Sequence, residues 1–432
     1  MQTLFHLIIH PFRNARDATT KNGRLNLNLI LSKDHAIPKG IKRVSFGSEL
    51  GGVHLSSNRA AARPKVLVFG PLQPPEVACG ISSAVRAFAG SQVRNFYNIE
   101  LISTFRPQRE RNLLQRIAFG MWLTIKTAFR VASSGAALAD IHTVSDRNLL
   151  SHAAIMFGTR LAGRPAMLRI HGGDFHQVFE KAGGFNRMLI RLILRSATRV
   201  IVLSEWWRSR IAAIEPRTAI EVIPNSVDCQ AFKRLGSRPY RKCRRILFLA
   251  NFCERKGHFD ALDAISKLAA NYSDIVLALA GEDRDYGTRK RIECEAERLG
   301  IQHQIEFLGT VSGESKDQAI RDADILILPS HTENMPVSIM EGMAAALPVI
   351  ATRVGAVSEM IEDGETGFLI ESRDSDALAQ CLERLFCDIN LAHQIGQNAQ
   401  RHARATWDAN VVAEHSIALY VRVTAEGISH AA

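Results

Sequence analysis

Short apolar runs alternate with helix-length amphipathic stretches along most of this chain, and the alternation starts twice. Runs at 65–70, 99–103, 140–144, 166–170, 200–203 and 221–223 form one series, and runs at 245–250, 274–280, 304–308 and 323–329 form a second. Many are apolar at consecutive positions, which suits strands covered on both faces. Strands joined through helices pair in parallel with right-handed crossovers, so each series predicts a Rossmann-like α/β sheet. Between the two series, residues 233–245 are basic and contain Gly236 and Pro239, as a hinge would. A chain of 432 residues with 46% hydrophobic content can bury two cores. The fold expected is therefore α/β, two Rossmann-like domains with a deep interdomain cleft.

The lip of an open parallel sheet is where ligands bind. After the buried-strand run 323–329 come Glu333 and, eight residues on, Glu341. The stretch after Pro336 reads as a helix, with Pro336 suited to its first position because the missing N–H would be unpaired there. One carboxylate then sits above the strand end and the other about two turns along the helix. The N–H groups around Asn334 and Met335, with the helix N-terminal dipole, make an anion seat. A carboxylate beside such a seat repels phosphate unless hydroxyls bond to it, so a phosphorylated, hydroxyl-rich ligand fits best. A glutamate pair on a solvated face is the ordinary alternative.

Charge narrows the partner class. Of the net charge of +11, residues 1–63 contribute +7, from ten Lys or Arg against Asp17, Asp34 and Glu49. The basicity therefore lies mostly in a poorly patterned leader with no aromatic-basic module, and no nucleic-acid partner is expected. The apolar stretch 4–12 is short and has no basic residues before it, so it makes a poor signal peptide. No run reaches the length of a membrane span. The cysteines number seven and form no close ligand pairs, which suggests reduced thiols in a cytoplasmic protein without structural zinc.

The run from Glu333 to Glu341, then residues 345–352, Gly355 to Glu359 and residues 364–369 resemble, in that order, the retaining glycosyltransferases of the family-4 type. The resemblance covers about 65 to 425 and implies the GT-B arrangement: an acceptor domain over 64–235, a nucleotide-sugar domain over 236–405, and a terminal helix, 406–432, crossing back to the first domain. It also implies that Glu341 holds the nucleotide ribose and that Glu333 lies against the donor sugar as nucleophile or transition-state stabiliser. The implied reaction moves a sugar from a nucleotide-diphosphate sugar to a glycan or lipid-linked glycan acceptor. No metal or other cofactor is expected.

Further candidates follow the strand ends. Gly80 closes the loop after the first run, where the lack of a Cβ lets backbone N–H groups approach a phosphate; a plain turn would use it equally. Residues 251–257, Asn-Phe-Cys-Glu-Arg-Lys-Gly, resemble the family segment in which an arginine and a lysine grip the diphosphate. Lys256 matches the lysine, Asn251 stands where the arginine is usual, and Arg255 is the candidate to compensate. His171, before Gly172 and Gly173, matches a family histidine beside the reaction centre, and Asp174 falls on the acceptor side. Cys79 stands where a second glycine is common. Asn225 and Ser226 read as a structural turn. The stretch 111–131 is amphipathic and basic, fitting either an anionic lipid surface or a helix packed on its sheet. Arg187, Arg191 and Arg195 add a second basic face.

Overall fold

The computed structural model describes residues 63–72, 80–104, 113–143, 149–173, 175–233 and 244–429. Most of the basic leader, Cys79, Asp174 and most of the expected hinge, including Gly236 and Pro239, lie outside them.

The first series forms β1 (Lys65–Gly70), β2 (Asn98–Ser103), β3 (Ala136–Thr143), β4 (Ala166–Ile170), β5 (Arg199–Val202) and β6 (Ile220–Val222), in the sheet order β2-β1-β3-β4-β5-β6. The second forms β7 (Arg245–Leu249), β8 (Val276–Ala280), β9 (Ile305–Gly309), β10 (Ile325–Leu328), β11 (Val349–Thr352) and β12 (Phe368–Ile370), ordered β12-β11-β10-β7-β8-β9. Every pairing in both sheets is parallel. In each sheet the chain reverses direction beside its first strand, between β1 and β3 and between β7 and β10. The crevices at these reversals hold the loops of greatest interest.

Burial on both faces explains the continuous apolar runs. In β1, Val66 and Val68 enter one core and Leu67 and Phe69 the other, with the period of two that a strand imposes. The last helix, Ala409–Ser429, completes one of these cores with Val412, Ile417, Tyr420 and Val423, so the chain ends against the first sheet. Trp407, just before it, belongs to the core of the second sheet.

Several boundaries move. β3 starts at Ala136 and not at 140, and β8 at Val276 and not at 274. Residues 349–352 and 368–370, read from the sequence only as parts of a motif, are the strands β11 and β12. Pro336 is not the first residue of its helix: with φ −69° and ψ 124° it is the extended cap before helix Val337–Ala344. Proline fixes φ but leaves ψ free, and the chain uses that freedom to turn out of the loop.

The amphipathic stretch 111–131 becomes helix Leu113–Ser134. Leu123, Thr127 and Val131 pack inward, while Met121, Trp122, Ile125 and Phe129 are exposed on the opposite face. The stripe is thus divided: one side serves the core and the other faces solvent.

Candidate functional site

The cleft between the two sheets has a volume of about 930 Å³, and ten sequence-predicted site residues line it: Gly80, His171, Asn251, Arg255, Lys256, Glu333, Asn334, Met335, Pro336 and Glu341. That volume lies in the upper part of the usual range for ligand pockets.

The loop after β10 is shaped from outside. Thr352 on the neighbouring β11 donates its hydroxyl hydrogen to the Ser330 carbonyl, and the Ser330 hydroxyl donates to Glu333 Oε1 at 2.8 Å. Gly355 adopts φ +57°, and a Cβ built there would stand 2.0 Å from the Glu333 carbonyl oxygen. Only glycine gives both the left-handed conformation and that approach. The Ala356 N–H then donates to the Asn334 carbonyl at 3.0 Å, closing the loop's far side.

Two buried carboxylate–ammonium pairs face the cleft. Lys256 Nζ lies 2.5 Å from Glu333 Oε1, joining the loops after the adjacent strands β7 and β10. Lys316 Nζ lies 2.5 Å from Glu341 Oε1. Burial works to lower the Lys316 pKa, but the Glu341 carboxylate outweighs it and the net shift is upward, so the ammonium stays charged. Lys316 was not singled out from the sequence. Its one signal is position, in the first turns of helix Gly313–Asp322, which opens just after β9.

The first domain contributes a histidine chain. His171 Nε2 lies 2.9 Å from His142 Nδ1, with the rings stacked at 5.0 Å and 18°. His142 Nε2 is 3.6 Å from Asp140 Oδ1, and Asp140 Oδ2 accepts from Arg169 at 3.0 Å and from the Tyr420 hydroxyl at 2.9 Å. Burial acts to raise the Asp140 pKa, but the Arg169 guanidinium overrides it and holds the carboxyl well below the usual range. Burial, with His142 and Arg169 nearby, holds His171 well below the ordinary histidine value, so its ring is neutral. His142 is a further residue missed in the sequence, although it stands at the end of β3 as His171 follows the end of β4.

The domains touch through these same loops. Asn334 Nδ2 donates to the His171 carbonyl at 2.8 Å, and Asn225 Nδ2 donates to the Met335 carbonyl at 3.1 Å. Asn225 is thus a bridge across the cleft as well as a turn residue. A Cβ on Gly173 would come within 3.2 Å of the Asn334 nitrogen, which explains a residue without one. Asn251 Oδ1 accepts from the Glu282 N–H at 3.2 Å, fixing the β7 and β8 loops together. Arg255 is exposed at the rim on a short turn, Glu254–Lys256. Two buried atoms of cleft-lining residues, Asn334 Oδ1 and His171 Nδ1, have no protein partner.

The profile described as "Glycosyl transferases group 1" matches residues 232–402, and that described as "Glycosyl transferase 4-like domain" matches residues 61–226. The chain belongs to the group 1 glycosyltransferases.

The protein is 31% identical over 211 residues to the phosphatidyl-myo-inositol mannosyltransferase of Mycobacterium leprae, covering 48% of this chain and 54% of that one. With the D-inositol 3-phosphate glycosyltransferase of Corynebacterium jeikeium it shares 28% identity, covering 46% and 51%. The match thus spans about half the length of these curated relatives. Among solved structures, the sucrose-phosphate synthase of Thermosynechococcus elongatus superposes with a TM-score of 0.69 at 18% identity, over 84% of this chain and all of that one. Anabaena HepE, solved with UDP and glucose, superposes with a TM-score of 0.65 at 18% identity over 83% of this chain and 100% of that one. These likenesses establish the GT-B fold.

Proposed function

We propose that this group 1 glycosyltransferase transfers a sugar, with retention of anomeric configuration and without a metal ion, from a nucleotide-diphosphate sugar to an acceptor hydroxyl. The acceptor class we propose is a glycan or a lipid-linked glycan, in polysaccharide or glycolipid assembly. The observation that carries this reading is the convergence of two lysine–glutamate pairs with unpartnered Asn334 Oδ1 and His171 Nδ1 in one cleft. Buried polar atoms without partners cost free energy, and sugar hydroxyls are suited to satisfy both.

The roles follow from charge and position. Glu341 would accept hydrogen bonds from the ribose hydroxyls, with Lys316 Nζ paired to its Oε1. Lys256 would stand by the diphosphate, with Arg255 at the rim. Its ammonium would supply positive charge where the departing group becomes more negative, from a mostly buried position. As the donor bond breaks, Lys256 would turn from Glu333 toward the phosphate. The freed Glu333 carboxylate would then face the sugar carbon as positive charge grows on it. His171, neutral, would act as a hydrogen-bond partner for a sugar hydroxyl and not as a cation.

Relatives include a GDP-mannose-dependent enzyme and HepE was solved with UDP, so the test screens both bases. Calorimetry of UDP- and GDP-sugars against the intact protein and Glu341→Ala should show one donor binding whose affinity the substitution removes. Product analysis with that donor and candidate acceptors should show transfer with the anomeric configuration kept. Conversion of donor alone into an epimer would point instead to a nucleotide-sugar epimerase. Tight binding with no turnover on any acceptor would point to a scaffold.

A further inference from the structure

Among the described residues, the large apolar side chains left exposed are unevenly placed. All of them except Tyr286 fall between residues 121 and 192, on the first domain. They concentrate on two helices of the same layer, Leu113–Ser134 and Gly184–Ser196, which contribute to one core on one face of the first sheet. We propose that the outer face of this helical layer docks on an anionic lipid bilayer.

The faces are not incomplete core. On the first helix Leu123, Thr127 and Val131 already fill the inward side, and on the second Ile190, Ile193 and Leu194 do so. The residues turned away, Ile125, Phe129, Phe185 and Met188, are 65%, 76%, 73% and 60% exposed, values that no packing role explains. Charge gives the second argument. Neither helix, nor Leu149–Leu161 in the same layer, contains any Asp or Glu, while the three together carry seven Arg or Lys. Arg130 and Arg195 are paired with Glu100 and Glu215 of neighbouring elements, which leaves the helices net basic. An ordinary solvated helix of this protein, Thr288–Arg298, mixes both signs. The cations also lie against aromatic rings, with Lys126 Nζ 4.7 Å from the Trp122 ring centre and the Arg187 guanidinium 5.7 Å from that of Phe179.

The combination selects the occupant. Nucleic acid offers anions but no apolar surface for Phe129 and Phe185. A second copy of the chain would bring the same basic face against itself, and like charges would oppose the contact. An anionic bilayer takes apolar side chains below its headgroups and cations among them. No helix among the described residues is long and apolar enough to cross a membrane, which makes this a contact at the surface. The inference is independent of the sugar-transfer reading.

The test is flotation of the full-length chain with phosphatidylcholine vesicles that do or do not contain about one third phosphatidylglycerol. The unaltered chain should float with the anionic vesicles, and bind neutral ones at least about tenfold more weakly. Ile125→Ser with Phe129→Ser, Phe185→Ser with Met188→Ser, and Lys126→Glu with Arg187→Glu should each cut anionic binding about tenfold or more. The four apolar side chains and Lys126 are exposed and outward. Arg187 also donates to the Phe179 and Glu180 carbonyls, and donor affinity by calorimetry checks that fold and cleft are intact in every variant. Absence of flotation overturns the proposal. So does binding undiminished by all three variants, which would assign it to the basic residues 1–63. A dimer in solution that the same variants dissociate overturns it as well, in favour of self-association.

Discussion

Replacing Lys256 by methionine separates two tasks assigned to one ammonium. The substitution keeps the apolar stem and removes the charge that lies 2.5 Å from Glu333 Oε1, in a pair whose side chains are only 16% and 8% exposed. Removing one member of a fully buried pair costs about 3–5 kcal/mol. Here the pair opens on the cleft and the Ser330 hydroxyl still donates to the stranded carboxylate, so about 1–3 kcal/mol is expected. Urea unfolding measures this. Because the loss comes from the orphaned carboxylate, adding Glu333→Gln should restore most of it. Catalysis should behave differently. If Lys256 also meets the departing diphosphate, kcat should fall by about 10²–10³, the usual effect of losing one fixed donor to developing charge. KM for the donor should change much less, and the double variant should remain inactive although its stability recovers. Lys256→Arg, which keeps the charge, should retain more turnover than Lys256→Met. The measurement is release of nucleoside diphosphate in the presence of acceptor. If folded Lys256→Met turned over within tenfold of the unaltered enzyme, Lys256 would be merely a counterion for Glu333.

Three further outcomes are expected. Gly355→Ala must either clash with the Glu333 carbonyl or shift the loop; it should cost about 1–3 kcal/mol in unfolding free energy from backbone strain and steric conflict, and lower kcat more than donor affinity. Tyr420→Phe removes a buried donor to the Asp140 carboxylate while its ring keeps its edge contacts with Phe88 and Tyr97; urea unfolding should show a loss of about 1.5–3 kcal/mol, the range for hydrogen bonds to charged groups. Burial depresses His258 to about 4, with its ring stacked 4.2 Å from that of Phe248. A histidine with a lowered folded-state pKa loses stability as pH falls below its unfolded value near 6.5, down to the folded value. Between pH 7 and 5 the unaltered protein should therefore lose about 2 kcal/mol more than His258→Phe, compared by urea unfolding; equal losses in the two proteins would refute the assignment.

How far the sequence discloses this molecule depends on the range over which each feature is encoded. Most strands of both sheets are local: β1 and β10 have apolar cores of Val, Leu, Ile or Phe, and burial on both faces leaves no polar alternation to confuse them, whereas the short strands β11 and β12 read only as parts of a motif. Glu333, Glu341, Lys256 and His171 are legible because each lies on a loop or helix immediately after a strand, where a parallel sheet gathers its ligands. Lys316 occupies an equivalent place after β9, but it stands alone among ordinary helix-surface residues until the fold brings Glu341 against it across 25 positions. His142 is hidden for a different reason. It sits within an apolar strand, where a histidine reads as a tolerated polar residue, and its meaning comes from His171, 29 positions away, and from Asp140 and Tyr420, separated by 280.

The contacts between domains are the least legible, and they bear most directly on how the enzyme would work. Asn334 reaches the His171 carbonyl across 163 positions, and Asn225 reaches the Met335 carbonyl across 110. Glu359 accepts from the Glu205 and Trp206 N–H groups at 3.0 and 2.7 Å, so a carboxylate of the second domain caps helix Glu205–Ile214 of the first. A helix N-terminus favours an anion whatever element supplies it, and nothing near residue 205 marks that anion as coming from residue 359. Each of these bonds joins exposed or cleft-facing groups that water could satisfy if the domains parted, so each contributes little net free energy to holding them together. They are better suited to registering the two halves than to locking them. A cleft closed by such bonds can open to admit a donor and close again with His171 returned to the same place beside Glu333. That is what transfer to an acceptor without loss to water requires of a two-domain site.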